Sequence, residues 1–293
     1  MSGEETAVAD FVGRFVRNPS SGIGEEPETA RVVMSRKRLV IAGDDRLTVP
    51  LSAVVDIIVG NVPSDLRDLF DSTVTVGYKT DGGGVETVLI EASRETMEKF
   101  RTVLFKCLLN GSKAKLKHPA RVGGRVTDSP VRTAKLSITP DRVGFETRNG
   151  TVGIDITDVI DFERTERAPD GRDRSTLSIR HSGDGQVTMS LISLSSSRLL
   201  NVLGRYLRIE YEQLLSEIAD IELNDPETQL LVAVYATGGD LDFSAVLDGD
   251  AARATNVVNA LREKGLIEET PSGLSLTTQG QVVVNQRIED VNI

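Results

Sequence analysis

Side chains with nucleophilic, acid–base or metal-binding chemistry are few in this chain and poorly spaced for joint use. It has two histidines, His118 and His181, and one cysteine, Cys107. Neither histidine has a cysteine or a second histidine near it in sequence, so no pattern that grips zinc or another transition metal is present. Cys107 falls on a helical apolar stripe and reads as a buried structural thiol. Gly82-Gly83-Gly84 lacks the Lys-Ser or Lys-Thr that completes a P-loop, and reads as a hairpin turn. Gly123-Gly124 precedes Arg125, not a helix whose N-terminus would take a phosphate. No serine lies in a Gly-x-Ser-x-Gly setting, and no carboxylates sit in a motif that sets a general acid opposite a base. The expectation is a protein that is not an enzyme, with no catalytic residue, no metal and no cofactor.

Charge says more. Lys plus Arg number 34 and Asp plus Glu 44, a net of −10 in 293 residues. That balance argues against a nucleic-acid binder that relies on overall charge. Yet between Glu98 and Asp128 there is no acidic residue, and Lys99, Arg101, Lys106, Lys113, Lys115, Lys117, Arg121 and Arg125 are all basic. Eight cations in 29 residues create a local positive field. A solvated helix face and linker would explain them; so would a dock for an acidic protein, which such a field steers and orients. On the second reading Lys113, Lys115, Lys117, His118, Arg121 and Arg125 are candidate contacts. No stretch approaches the roughly 18 apolar residues of a membrane helix. The first residues lack the basic-then-apolar pattern of a secretory leader, and one cysteine cannot close an internal disulfide, so a cytoplasmic location is expected.

The elements that position these residues come in two copies. Ala30-Arg-Val-Val-Met-Ser35 resembles Ala134-Lys-Leu-Ser-Ile-Thr139 at an offset of 104. Leu51-Ser-Ala-Val-Val-Asp56 matches Ile156-Thr-Asp-Val-Ile-Asp161 at 105, and Ser72-Thr-Val-Thr-Val76 matches Ser175-Thr-Leu-Ser-Ile179 at 103. A near-constant offset in the same order marks an internal repeat. In the first copy, alternating or apolar-rich segments predict strands over Phe11–Arg17, Ala30–Ser35, Arg38–Ala42, Leu47–Leu51, Val54–Val59, Thr73–Tyr78 and Val85–Glu91. Then Met97, Phe100, Val103, Leu104, Cys107 and Leu108 recur at helical spacing, with Ser93 as N-cap. The second copy ends alike, with Ser195-Ser-Ser197 before a helix bearing Leu199, Val202, Leu203, Tyr206 and Leu207. Seven strands and one C-terminal helix suggest an α+β chain with two tandem pleckstrin-homology-like β-barrels, each closed by its own helix. The predicted units are 1–112 and 113–222. Polar loops are expected at Asn18–Glu28 and Glu166–Asp173.

Asn224-Asp225-Pro226 interrupts the second helix and opens a third unit, 223–293. Helical patterns cover Leu230–Tyr235, Phe243–Leu247 and Ala251–Lys264, with Gly265 closing the last. Leu266–Glu269 and Gly273–Leu276 flank Pro271-Ser-Gly like a two-stranded wing, and a helix follows from Thr278. This predicts a small winged helix-turn-helix domain. Four Lys or Arg against ten Asp or Glu give 226–293 a net of −6, which suits protein contacts better than phosphates. Its candidate contacts are Arg253, Arg262 and Lys264. Arg outnumbers Lys 25 to 9, which fits a salt-loving source whose proteins are acidic throughout.

Several strings resemble a known family. Ala9-Asp-Phe-Val-Gly-Arg-Phe15, Ser35-x-Lys37-Arg-Leu-Val40 and Thr48-Val-Pro-Leu-Ser52 are similar to segments of the archaeal taxis protein family CheF, haloarchaeal members in particular. So are Thr102-Val-Leu-Phe-Lys-x-Leu-Leu-Asn-Gly111 and Lys117-His-Pro-Ala-Arg-Val-Gly-Gly-Arg125. The resemblance covers nearly the whole chain. It implies a chemotaxis and phototaxis adaptor that links the response regulator CheY, with CheC and CheD class proteins, to the accessory proteins of the archaellum switch. Competing classes are a winged-helix DNA-binding regulator with two β sensor domains and a lipid-binding barrel pair.

Overall fold

Period-two alternation punctuated by Gly, Asp and Asn produces antiparallel hairpins, and the chain forms them in succession. The computed structural model describes residues 5–19, 27–60, 72–170, 172–183, 186–219, 221–237, 251–270 and 273–291. The first sheet comprises β1 (Ala7–Arg17), β2 (Glu28–Ser35), β3 (Arg38–Ala42), β4 (Arg46–Pro50), β5 (Val54–Val59), β6 (Thr73–Lys79) and β7 (Val85–Glu91). Its spatial order is β4-β3-β2-β1-β7-β6-β5. Turn chemistry is as expected at 80–84, where the Thr80 N–H donates to Gly84 O at 2.9 Å and Gly83 takes φ 83°. Helix α1 (Arg94–Leu109) follows, with Ser93 Oγ accepting from the Thr96 N–H.

The second sheet holds β8 (Lys113–Val122), β9 (Arg125–Val126), β10 (Arg132–Thr139), β11 (Arg142–Thr147), β12 (Gly150–Asp155), β13 (Val159–Arg167), β14 (Asp173–Gly183) and β15 (Gln186–Leu194). Its order, β12-β11-β10-β8-β15-β14-β13 with β9 hanging on β8, repeats that of the first sheet. Helix α2 (Ser197–Ala219) closes the copy. The sequence repeat is thus a structural repeat.

The expectation of two pleckstrin-homology-like barrels, each plugged by its own helix, is corrected on two counts. Neither sheet closes: β4 and β5 lie at opposite edges of one order, β12 and β13 at opposite edges of the other, with no ladder joining them. At each gap the chain makes a short 3₁₀ turn, Leu51–Ala53 or Ile156–Asp158, whose first side chain is buried. An apolar wedge fills the corner where closing hydrogen bonds would have to form. Nor does each helix serve its own sheet alone. Helix α1 packs on β10 as well as β1 and β6, and α2 packs on β5 as well as β14 and β15. Phe105 meets Tyr206 at 5.4 Å between ring centroids, and one apolar cluster runs from Phe15 through both helices to Leu207. The result is two open antiparallel sheets with a shared helical layer.

Polar bonds reinforce the crossing. Arg198 donates to the carbonyls of Leu51 and Val54, the latter at 2.7 Å. Arg205 grips Asp56 with two bonds of 3.1 and 3.0 Å. Tyr206 OH donates to Thr139 O, and burial raises its pKa. Arg101 faces Glu210 at 3.3 Å, both mostly buried; burial pushes the Glu210 carboxyl up against the pull of that guanidinium.

The C-terminal unit has α3 (Asp225–Thr237), α4 (Ala251–Glu263), β16 (Ile267–Thr270), β17 (Gly273–Leu276) and α5 (Thr278–Val291) around their own apolar cluster. The expected helix over Phe243–Leu247, the Gly238-Gly239 stop, the Pro271-Ser272 tip and most of the Asn18–Glu28 loop lie outside the described residues. What is described is three helices and a two-stranded hairpin, and the winged-helix part of the expected fold is corrected to that. Asn224 caps α3 reciprocally: its side chain accepts from the Glu227 N–H at 3.0 Å, and Glu227 accepts from the Asn224 N–H at 2.9 Å.

Candidate functional site

Strand β8 carries the basic window onto the second sheet. Ala114, Leu116 and Ala120 face the core at 3% exposure or less, so alternation turns Lys113, Lys115 and Lys117 to the other face. The β8–β15 register then slips, pairing Lys117 with Leu191 and Arg121 with Met189, which keeps Arg121 on the same side as Lys117. Lys115 Nζ donates to Thr133 Oγ1 at 2.8 Å. Among the described residues no carboxylate pairs with Lys113, Lys115, Lys117 or Arg121. Lys117 and Arg121 line a groove of about 410 Å³ together with the apolar Val126, Met189 and Leu191 and one carboxylate, Glu163. Val126 is 70% exposed.

The rest of the window is used differently. Lys99 pairs with Glu95 at 2.6 Å along α1, and Arg101 is held by Glu210. Arg125 is registered opposite Val122, on the other face of the hairpin from Arg121. His118 turns inward. Its Nδ1 lies 2.8 Å from Ser190 Oγ, and His181 Nε2 lies 3.0 Å from the same oxygen. The rings stack at 5.6 Å.

With both rings neutral, the hydrogen bonds select one arrangement of protons in this cluster. His181 Nδ1 approaches Ser182 O at 3.3 Å; a carbonyl only accepts, so that nitrogen carries the hydrogen. Ser190 then donates to His181 Nε2 and accepts from His118 Nδ1–H. Burial, followed by the neighbouring His181 and Arg132, lowers the His118 pKa, and burial lowers that of His181. The two rings border a cavity of about 660 Å³ shared with Asp155, Asp158 and Gln186. Burial, then Asp155, raises the Asp158 carboxyl. The sequence separates these histidines by 63 positions; only the β8-β15-β14 order joins them. Among the described residues no group of three or more His, Cys, Asp or Glu is arranged to hold a metal ion.

The C-terminal cations are distant from this face in sequence and sit on or next to α4. Arg253 is exposed there. Arg262 forms an ion pair with Glu269. Lys264 reaches both oxygens of Glu227 at 2.7 Å and the carbonyl of Glu222 at 2.7 Å. Burial raises the Glu227 carboxyl, but the Lys264 and Asn224 hydrogen bonds outweigh it and hold the pKa below the ordinary value.

Residues 7–213 match the family model described as Archaeal Chemotaxis signal transduction system protein F. The chain belongs to this family. Over 291 residues, 99% of each chain, it is 40% identical to Taxis protein CheF2 of Halobacterium salinarum. Over 298 residues, 99% of this chain and 100% of the relative, it is 24% identical to Taxis protein CheF1 of the same organism. Family membership gives the chain a role in archaeal chemotaxis signal transduction. Among solved structures, the C-terminal domain of an unknown protein from Leishmania infantum aligns with 36% of this chain and 85% of its own, at 14% identity. Its TM-score of 0.26 is too low to bear on fold or function. Among the described residues no helix is long and apolar enough to cross a membrane.

Proposed function

We propose that this CheF-family chain is a non-enzymatic adaptor that links CheY, together with CheC and CheD class proteins, to the archaellum switch complex. The observation that carries the reading is the line of Lys113, Lys115, Lys117 and Arg121 on one sheet face, without carboxylate partners among the described residues, in a chain of net charge −10. Unneutralised cations raise self-energy unless a partner supplies the counter-charge, so such a line fits an acidic protein surface. The adjoining Val126, Met189 and Leu191 supply apolar contact area. A phosphoryl group on a receiver is largely enclosed by the receiver's own pocket. Preference for phospho-CheY therefore comes from the shape change that phosphorylation triggers.

Arg262 and Lys264, two of the three candidate cations of the C-terminal unit, are engaged by Glu269 and Glu227, which weakens them as contacts for DNA and for a protein partner alike. The test is titration of the full chain with CheY, with and without beryllofluoride, at two salt concentrations. The triple variant Lys113→Glu/Lys115→Glu/Lys117→Glu should weaken binding by more than about a hundredfold, since each reversed contact contributes on the order of 1 kcal/mol or more. Unchanged affinity in a folded variant would remove the assignment.

A further inference from the structure

Beside the β8 line, the same sheet holds a second concentration of positive charge that β8 alone does not reveal. Lys113, Arg132, Lys135 and Arg148 line an open cavity of about 720 Å³, with Glu146 as its one acidic residue. They come from two neighbouring strands and one turn. Lys113 and Lys135 stand directly opposite each other in the β8–β10 register. Lys135 stands opposite Glu146 across β10–β11. Arg132 begins β10 opposite Leu116, so its side chain leaves on the core-side face near His118 and not with the lysines, and Arg148 rides on the turn between β11 and β12. That turn is held by Thr147 Oγ1 donating to Gly150 O at 2.7 Å and by the Asn149 N–H donating to Thr147 Oγ1 at 3.2 Å. Gly150 takes φ 123°, which a side chain would resist.

Two lysines directly opposed on a sheet repel each other. The chain has 44 carboxylates, yet none of the described ones forms an ion pair with any of these four cations. Lys113, Lys135 and Arg148 against Glu146 leave this face at +2. The Arg148 guanidinium fork matches a pair of tetrahedral oxygens, and two ammonium groups add point charges. No aromatic residue lines the cavity, so there is no surface on which a base would stack. Recognition rests on the anion's charge and oxygens.

We infer that this cavity is a binding site for a compact phosphate-class polyanion, held by Lys113, Lys135 and Arg148. It adjoins the proposed protein dock, sharing Lys113 and touching Lys115 through Thr133, but it does not depend on that assignment. The phosphate belongs either to a free solute or to a lipid headgroup at a membrane surface.

The test uses the full chain in magnesium-free buffer near 0.1 M ionic strength, where exposed charges still act over about 10 Å. Calorimetric titration with inorganic pyrophosphate gives one saturable site. Lys135→Ala/Arg148→Ala weakens it at least about tenfold, as loss of charge-assisted hydrogen bonds does. Lys117→Glu/Arg121→Glu, which alters only the protein dock, leaves it unchanged. In parallel, co-sedimentation with phosphatidylglycerol vesicles that is lost in Lys135→Ala/Arg148→Ala assigns the phosphate to a headgroup. Binding to neither probe, or binding to either that the double variant leaves intact, overturns the inference. Lys113→Ala and Arg148→Ala measured singly keep the test open if the double variant does not fold. Failure of CheY binding with pyrophosphate binding retained would sink the adaptor reading and leave this site standing.

Discussion

Replacing Lys264 by methionine asks whether that cation is structural or a partner contact. The substitution keeps the aliphatic stem and deletes the charge that meets both oxygens of Glu227. Glu227 is 3% exposed and would keep the Asn224 N–H at 2.9 Å. Stranding one member of a buried pair costs about 3–5 kcal/mol. Two facts lower that figure. Lys264 is 32% exposed, so water already reaches one end of the pair. The stranded carboxylate also escapes by taking a proton, which for a glutamate of ordinary acidity costs about 4 kcal/mol at pH 7 and sets a ceiling. The expected loss is about 2–3 kcal/mol at pH 7. Its pH dependence follows from linkage. In the parent, Glu227 is more acidic folded than unfolded, so it contributes stability above the ordinary glutamate value, lost as pH falls through the folded one. In the variant the unpaired carboxylate is less acidic folded than unfolded, so stability falls as pH rises. The difference between the two proteins is therefore largest at neutral pH and shrinks below about pH 4. Urea unfolding followed by far-UV circular dichroism, with hydrogen exchange read on α3 and α4, measures it. Glu227→Gln/Lys264→Met should recover much of the loss. A neutral-pH loss under about 0.5 kcal/mol, or one that does not change on acidification, refutes the reasoning.

Two further outcomes are expected. The buried rings of His118 and His181 are less basic folded than unfolded, so they support the fold above the ordinary histidine value near 6.5 and that support is lost as pH falls through it. Unfolding free energy should decline from about pH 7.5 to about pH 5, and His118→Gln/His181→Gln should flatten that decline; an unaltered slope would exclude the pair as its source. A Cβ on Gly280 would stand 2.0 Å from the Leu266 backbone oxygen, whereas one on Gly153 would meet the movable Arg142 guanidinium at 2.1 Å. Gly280→Ala should destabilise by about 1–3 kcal/mol and Gly153→Ala by less than about 0.5 kcal/mol, and equal thermal shifts would contradict this account.

The strands and their order of appearance were readable because local chemistry dictates them. Val32, Met34, Leu39, Ile41 and Val49 are buried and alternate with less buried positions such as Arg31, Val33, Arg38, Val40 and Thr48, and the Thr80–Gly84 turn forms where glycine permits it. The repeat was readable because equivalent strands in the two copies demand equivalent residues. Closure was not. Whether β4 meets β5 depends on Leu51 wedging the corner, and a run of seven strands looks the same closed or open. Which sheet a helix packs against is likewise a long-range matter: the apolar stripe of α2 announces burial without naming β5 as a partner. For the same reason β8 was visible as a basic strand, while Lys135 and Arg148 entered the picture only through strand register and the β11–β12 turn. Their separations of 22 and 35 residues from Lys113 concealed them. Sequence alone offers His118 as a surface contact and leaves His181 without a role, because nothing in it hints that Ser190 joins the two rings. Lys264 looked available because its acid stands 37 positions away.

The exchange of helices between the two sheets has a mechanical consequence. Swinging one sheet away from the other would tear Arg198 from the Leu51 and Val54 carbonyls, unclasp Arg205 from Asp56 and open an oily seam to water. Such a body does not bend at its middle. The faces of the first sheet and those of the second are thereby held at a set distance and angle.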